Sequence, residues 1–118
     1  QNIEAVKKYG NAITCEPAKE SSVRSIDGET VFEMPPREQM YTAKAPQSFY
    51  FPAILGLYEK AQADVVSSID PSHLCSIYHE PMHIILSTKN NMKITEPVDY
   101  YICRALYDAE ESQQIFCL

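Results

Sequence analysis

The chain has 118 residues, of which 45% are hydrophobic and 22% are charged. This composition is typical of a folded protein and argues against a disordered chain. The length fits one hydrophobic core, so a single domain over residues 1–118 is predicted. The formal net charge of −6 argues against tight binding to a nucleic-acid backbone, because such binding depends on Lys and Arg. No apolar run reaches the length of a membrane span, so no membrane partner is expected.

The cysteines and the N-terminal residue bear on the compartment of the protein. The spacing of the four cysteines is not the C-x-x-C of zinc and redox sites, and an even count favours disulfides with three possible pairings. The alternative is a set of buried thiols in a reducing compartment. Gln1 is an unusual start for a natural chain, so we expect that a leader preceded it. The cysteines are Cys15, Cys75, Cys103 and Cys117.

The first third of the chain predicts little regular structure. Residues 1–12 lack a strand pattern and are predicted to form an irregular arm, which leads into a first strand at residues 12–15. A short helix is predicted within residues 16–26, where the serine pair of SSVRSI provides an N-cap. The dipeptide Asp27-Gly28 predicts a turn after it. The acidic residues around this helix are expected to form solvated loops.

The middle of the chain is marked by prolines and aromatic residues. Three prolines in residues 34–46 predict a long surface loop. The aromatic run in residues 47–57 predicts a strand, and Pro52 within it indicates a strand end or an edge strand.

The remaining segments predict the rest of a sheet. The β-branched and aromatic content of residues 73–79, 82–88 and 98–107 predicts three strands, and residues 114–118 predict a short terminal strand. The predicted fold is therefore α+β, with one short helix and an antiparallel sheet of four or five strands.

The sequence His79-Glu80-Pro81-Met82-His83 matches the H-E-x-x-H pattern of zinc metalloproteases. That chemistry requires both histidines on one face of a helix, and Pro81 lies inside the motif, where it disrupts a helix. We therefore expect the segment to be non-helical, and we predict no metal site.

The order of these features carries a resemblance. Cys15 is followed by a short helix, a turn in DGETV, aromatic–proline strands in FYFP and SIYHEP, a strand in VDYYIC, and Cys117. This order, over residues 12–118, resembles the fungal guanyl-specific ribonuclease fold, and within it the ribonuclease-like effectors of powdery-mildew fungi. The resemblance implies a short helix packed on a twisted antiparallel sheet. It also implies two disulfides, Cys15 with Cys117 and Cys75 with Cys103.

The resemblance also places the catalytic positions of the ribonucleases, which are a Tyr-x-His triplet, a Glu, an Arg and a second His. At these positions the chain has Phe51-Pro52-Ala53, His79, Tyr100 and, for the last, Tyr107 or Asp108. A single imidazole cannot be both acid and base in one step, so the site is expected to be an inactive remnant. The remnant-site residues are Phe51, His79, Tyr100 and Asp108, and no cofactor is expected.

The function implied by the resemblance is that of a secreted virulence or avirulence effector that reaches the host cell cytoplasm. Its expected partners are host plant proteins, including an intracellular immune receptor, and RNA bound weakly. It is expected to be a monomer. The alternative is an active secreted ribonuclease that uses His79, with Arg104 or Arg37 as the cation for the phosphate.

Overall fold

The computed structural model describes residues 1–88 and 90–116, without the side chains of residues 115 and 116. The chain divides into two compact units, Gln1–Ser87 and Thr88–Leu118. The expectation of a single domain stays a prediction. None of the helices within the described ranges is both long and apolar enough to cross a membrane.

The first unit contains three strands, three α-helices and a 3-10 turn, and the described residues of the second unit contain one α-helix. In chain order the elements are α1 (Asn2–Tyr9), β1 (Asn11–Pro17), the 3-10 turn (Arg37–Gln39), β2 (Tyr41–Phe49), α2 (Phe51–Ala63), α3 (Pro71–Ile77), β3 (Ile84–Leu86) and α4 (Pro97–Phe116).

The sheet of the first unit has the strand order β2-β1-β3. The central strand β1 is antiparallel to β2 and parallel to β3, with Ile13 opposite both Gln47 and Ile84. Residues 12–15 of β1 are all buried, which is typical of a strand covered on both faces. Helix α1 lies against β1, where the Asn2 side-chain amide donates to the Thr14 hydroxyl at 3.4 Å.

A second part of the core lies where α2 packs on α3. Leu74 is fully buried at 0% exposure, and Cys75 and Ala61 are exposed by only 2% and 4%. On α2 the inward positions Ile54, Leu57 and Ala61 recur at helical spacing, which places them on one face.

The predicted sheet is wrong, because three of the predicted strands contain helices. Residues 73–77 of the first segment lie in α3, residues 98–107 lie in α4, and residues 47–57 contain the end of β2 and the start of α2. Each of these helices has a proline at its first or second position, where the missing N–H costs no helical hydrogen bond. The prolines therefore begin helices here instead of ending strands.

Side-chain caps fix the starts of two of these helices. The Asp70 carboxylate accepts from the backbone N–H of His73 at 2.8 Å at the start of α3. In the first turn of α4, the Asp99 carboxylate accepts from the N–H groups of Thr95 and Glu96, which precede the helix, both at 2.9 Å. The strand predicted at residues 114–118 is also wrong, since α4 continues to Phe116; the last two residues lie outside the described ranges.

The N-terminal arm is in fact helix α1. It ends at Gly10, which has a φ of 88° and donates its N–H to the Val6 carbonyl at 2.8 Å. Such a left-handed glycine is a common helix end. The strand predicted at residues 12–15 is confirmed as part of β1, and the segment 82–88 contains β3.

No helix forms within residues 16–26, where one was predicted. Instead, Arg24 and Glu33 pair in an antiparallel bridge, and the chain reverses at the predicted Asp27-Gly28 turn. The Asp27 carboxylate accepts from the N–H groups of Glu29 and Thr30 at 2.9 and 2.8 Å. These bonds satisfy the backbone locally, in competition with a helix. The loop predicted at residues 34–46 ends at Met40, because β2 begins at Tyr41.

The disulfide prediction is wrong as well. Cys15, Cys75 and Cys103 are free thiols, and Cys117 lies outside the described residues. Cys15 and Cys75 are 7% and 2% exposed, so they fill the core as small apolar side chains do. The described residues thus form a mixed three-stranded sheet with four α-helices, and not a disulfide-stapled antiparallel sheet of four or five strands.

Candidate functional site

The polar pocket of the first unit lies at the carboxyl end of β1 and has a volume of about 310 Å³. In open α/β sheets, ligands bind beyond the carboxyl ends of the strands. The lining residues come from the end of β1, the segment after it and the start of β2: Glu16, Pro17, Ala18, Lys19, Glu20, Ser22 and Thr42.

Strand pairing positions this pocket. Glu16 of β1 lies opposite Thr42 of β2 in the antiparallel register. Beyond the end of β1, the N–H of Ala18 donates to the Met40 carbonyl at 2.9 Å, which keeps the chain beside β2. The backbone of the pocket is therefore held by sheet hydrogen bonds on the side of β2.

Glu16 and Lys19, which line this pocket, form a charged cluster with Lys44, which contacts Glu16 but does not line the pocket. We call these three residues the lysine–glutamate cluster. The Lys19 ammonium is 2.6 Å from Oε1 of Glu16, and the Lys44 ammonium is 3.4 Å from Oε2. The hydrogen bond from Lys19 is the main cause that lowers the pKa of Glu16, and the charges of both lysines add to it. The cluster contains two cations and one anion, so its net charge is positive.

The groups that line the polar pocket suit a hydrophilic ligand. Ammonium groups donate to phosphate or carboxylate oxygens, and hydroxyl and carboxylate groups exchange hydrogen bonds with polyols. Ser22 and Thr42 supply hydroxyls, and Glu20 supplies a further carboxylate. The arrangement therefore suits a polar ligand that carries hydroxyl groups.

A second concavity, the apolar cavity, has a volume of about 280 Å³ and lies beside α2. Its walls include Ala53, Ile54 and Leu57 of α2 together with Cys75 of α3. Burial raises the pKa of the Cys75 thiol, and the charge of Glu80 raises it further. Because the thiolate is the reactive form, Cys75 is a poor nucleophile near neutral pH.

Two of the predicted remnant-site residues lie in the first unit, near the apolar cavity. Phe51 begins α2 and is 70% exposed. His79 follows α3 with a φ of 56° and is exposed. Ala53 and Glu80, which lie two residues and one residue away along the chain, line the cavity.

The other two remnant-site residues, Tyr100 and Asp108, lie on α4 of the second unit. The ring of Tyr100 packs edge to face against Tyr101, with 5.6 Å between the ring centroids. The carbonyl of Asp108 accepts from the Ser112 hydroxyl at 2.8 Å. The ribonuclease comparison required these positions on sheet strands, so their place on a helix removes its geometric basis.

The H-E-x-x-H segment is non-helical, as predicted. Helix α3 ends at Ile77, four residues before Pro81. The ring of His83 stacks on Tyr9 with 3.7 Å between the centroids. Within the described residues there is no group of three or more His, Cys, Asp or Glu side chains that could hold a metal ion.

Sequence reasoning missed the lysine–glutamate cluster. Glu16 was expected only to be a solvated acidic residue, although Lys19 three residues later is a local sign of an ion pair. Lys44 has no local sign, because its approach to Glu16 depends on the pairing of β1 with β2.

Comparison with known proteins decides the family. The family model described as "IspD: 2-C-methyl-D-erythritol 4-phosphate cytidylyltransferase" matches residues 1–108. The chain belongs to this family.

Relatives and solved structures agree with this assignment. The ribitol-5-phosphate cytidylyltransferase of Streptococcus agalactiae serotype Ia is 40% identical over 116 residues, which cover 98% of this chain and 48% of that protein. The protein of that name from Vibrio parahaemolyticus is 37% identical and is covered over 49% of its length. The chain thus spans about half the length of the curated relatives it matches.

The solved structures show the same fold. The 4-diphosphocytidyl-2C-methyl-D-erythritol synthase of Anaerococcus prevotii superposes with a TM-score of 0.81 at 27% identity, over 91% of this chain and 48% of that chain. The Thermus thermophilus 2-C-methyl-D-erythritol 4-phosphate cytidylyltransferase, at 23% identity, has a TM-score of 0.71 over 87% of this chain and 50% of its own.

Membership of this family overturns the effector hypothesis. The chain is neither an inactive nor an active ribonuclease, and the expected secretion and delivery to a host cytoplasm are wrong. Host plant proteins, an immune receptor and RNA are wrong as partners for the same reason. The resemblance failed because it depended on an order of strands, and several of those strands are helices.

Proposed function

We propose that the protein takes part in cytidylyl transfer to ribitol 5-phosphate. The observation that carries this proposal is the pattern of identity among relatives. Ribitol-5-phosphate cytidylyltransferases of Streptococcus agalactiae and Vibrio parahaemolyticus are 40% and 37% identical over 98% of the chain. Relatives named 2-C-methyl-D-erythritol 4-phosphate cytidylyltransferase are 25% to 30% identical. One ribitol-5-phosphate relative, from Lactiplantibacillus plantarum, is 29% identical, so the pattern favours the pentitol phosphate without being uniform.

The chemistry of such a transfer sets the demands on the site. An oxygen of the acceptor's phosphate attacks the α-phosphorus of CTP and forms a phosphoanhydride bond. The bond from the α-phosphorus to the bridging oxygen breaks, and pyrophosphate leaves with the electron pair. Catalysis of phosphoryl transfer depends mainly on position and charge, so the acceptor must be held with its phosphate fixed.

The polar pocket supports this proposal because its groups match the two parts of the acceptor. The ammonium group of Lys19, which lines the pocket, suits the phosphate. The hydroxyls of Ser22 and Thr42 suit the hydroxyls of the pentitol.

A direct assay tests the proposal. The purified chain is incubated with magnesium CTP and either ribitol 5-phosphate or 2-C-methyl-D-erythritol 4-phosphate, and the products are followed by mass spectrometry and by pyrophosphate release. Binding of each acceptor is measured in parallel by calorimetry. We expect CDP-ribitol as the main product and tighter binding of ribitol 5-phosphate. Preference for the branched acceptor, which the family description favours, or failure to bind and convert either acceptor, contradicts the proposal.

A further inference from the structure

We propose that the apolar cavity binds a small organic cation, whose ammonium group contacts the carboxylate of Glu80 and whose apolar body lies against α2. The apolar cavity and the polar pocket share no lining residue. This inference is therefore independent of the proposed cytidylyl transfer, and its test does not require that activity.

The first argument is the glycine in the middle of α2. Gly56 lies in the interior of this helix and lines the cavity. A glycine inside a helix is destabilising relative to alanine. Among the described residues, no heavy atom outside the helix backbone lies within 4 Å of the place where a Cβ atom of residue 56 would be. Packing within the chain therefore does not require this glycine, and its effect is to leave open space in the cavity.

The second argument is the position of Glu80 at the cavity wall. Its backbone N–H donates to the Cys75 carbonyl at 2.9 Å. The following carbonyl, that of Pro81, accepts from the side-chain amide of Asn11 at 2.9 Å. The backbone is thus fixed on both sides of Glu80. No ion pair between described residues includes Glu80, so its negative charge is not neutralised within the described part of the chain.

The third argument is the reach of this charge into the cavity. Cys75 lines the cavity and is only 2% exposed. Burial raises the pKa of its thiol, and the charge of Glu80 raises it further, so the field of the carboxylate acts on the cavity wall. A charge beside an apolar wall is screened less than one in open water. The cavity therefore attracts a cation and repels an anion.

The volume and the remaining walls set the size of the ligand. The cavity has a volume of about 280 Å³, whereas an engineered apolar cavity of about 150 Å³ binds benzene. Phe49, Ile54 and Leu57 supply apolar side chains to the wall. One ring joined to an ammonium group by a short carbon chain fits these dimensions, and 2-phenylethylammonium is a compound of this class.

The experiment is a titration of the full chain, followed by amide NMR, with 2-phenylethylammonium, the neutral 2-phenylethanol and the anionic phenylacetate. Because Glu80 is exposed, we expect the ammonium compound to bind only about 2–5-fold more tightly than the alcohol. Phenylacetate should bind most weakly. Added salt should remove the preference for the ammonium compound and leave the affinity for the alcohol unchanged.

Two variants test the two parts of the site. Glu80→Gln is expected to remove the preference for the ammonium compound and to leave the affinity for the alcohol unchanged. Gly56→Ala should weaken both compounds by about 10-fold, because the added methyl group occupies the cavity. The same variant should raise the midpoint of urea denaturation, since alanine favours a helix. A purely structural role of Gly56 does not predict these opposite changes.

The matched controls are Glu59→Gln and Gln62→Ala, at positions of α2 that do not line the apolar cavity. Both should keep the affinities of the unmodified chain, and circular dichroism establishes that each variant is folded. If Glu80→Gln does not fold, the salt dependence decides the role of the charge. The inference is overturned if the ammonium compound and the alcohol bind equally, if neither binds at millimolar concentration, or if Gly56→Ala leaves both affinities unchanged. An equal loss of preference in Glu59→Gln and Glu80→Gln also overturns it.

Discussion

The polar pocket and the apolar cavity have nearly the same volume, about 310 and 280 Å³, but different walls. The polar pocket is lined by side chains that carry charges and hydroxyls at the end of β1. The apolar cavity adjoins the packed contact of α2 with α3, where Cys75 is 2% exposed. The volume of a concavity thus does not indicate its role. Substitution of polar lining residues is expected to change binding, whereas substitution of lining residues that belong to the core is expected to change folding.

Leu74→Ala has the largest expected effect, and it tests how much the packing beside the apolar cavity contributes to stability. Leu74 is fully buried, so its truncation is expected to lower the free energy of unfolding by about 3–4 kcal/mol. Urea denaturation followed by circular dichroism measures this loss. Ile69→Ala, at a residue that is 86% exposed, is the control and should change stability by less than about 0.5 kcal/mol. If Leu74→Ala also changes the affinity of the folded protein for ribitol 5-phosphate, the polar pocket and the packing beside the apolar cavity are not independent.

The alkylation rates of Cys75 and Cys103 test whether the wall of the apolar cavity is as inaccessible as the structure shows. Cys75 is buried and its pKa is raised by burial, whereas Cys103 is half-buried. Alkylation with iodoacetamide, read by peptide mass spectrometry, is expected to be about 100-fold slower at Cys75, since the thiol reacts only after local opening. The raised pKa also moves the rise of the Cys75 rate to a higher pH than that of an ordinary thiol. In denaturant the two rates should converge, and equal rates in the native protein contradict the burial of Cys75.

Asp70→Ala tests whether the wall of the apolar cavity depends on the start of α3. The Asp70 carboxylate caps this helix, which carries Leu74 and Cys75. Loss of an N-cap is expected to cost about 1 kcal/mol of stability, measured by thermal denaturation. Asp70→Asn keeps an accepting oxygen and should cost much less. An equal loss in both variants contradicts a capping role and indicates a role of the charge.

The smallest expected effect is a local pH dependence in the segment that follows the polar pocket. Hydrogen bonds from Thr30, Glu29 and Ser25 hold the pKa of Asp27 well below its ordinary value. A depressed pKa means that the turn is fully stabilised above the ordinary Asp pKa of about 3.9 and loses this contribution only as pH falls well below it. The amide NMR shift of Thr30, which has no ionisable side chain, should therefore show no titration of Asp27 from neutral pH to about pH 4. Asp27→Asn removes the titration at lower pH, and a midpoint near the ordinary value in the native chain contradicts these bonds.

Local signals in the sequence predicted some features correctly. The strand at residues 12–15 and the turn at Asp27-Gly28 depend on neighbouring residues alone, and both are present. The exclusion of a helix at Pro81 also holds, because proline acts on its own backbone and on the preceding turn.

Other features depend on residues that the local pattern does not include. Pro52, Pro71 and Pro97 are equally compatible with the end of a strand and the start of a helix, and burial of the following turns decides between them. The contact of Lys44 with Glu16 requires the register of β1 with β2, which no nearby residue specifies. Single motifs therefore could not predict the fold family or the lysine–glutamate cluster.

Because β1 lies between β2 and β3 in the sheet, its two edges pair at different times during synthesis on the ribosome. One edge of β1 can pair as soon as β2 has been synthesised, but its other edge waits for β3, about 70 residues further along. Until then the nascent chain presents an unpaired edge of its most buried strand, which is the kind of surface that misassembles or recruits chaperones. Slow codons between β2 and β3 would lengthen this exposed interval, whereas slow codons after β3 would not.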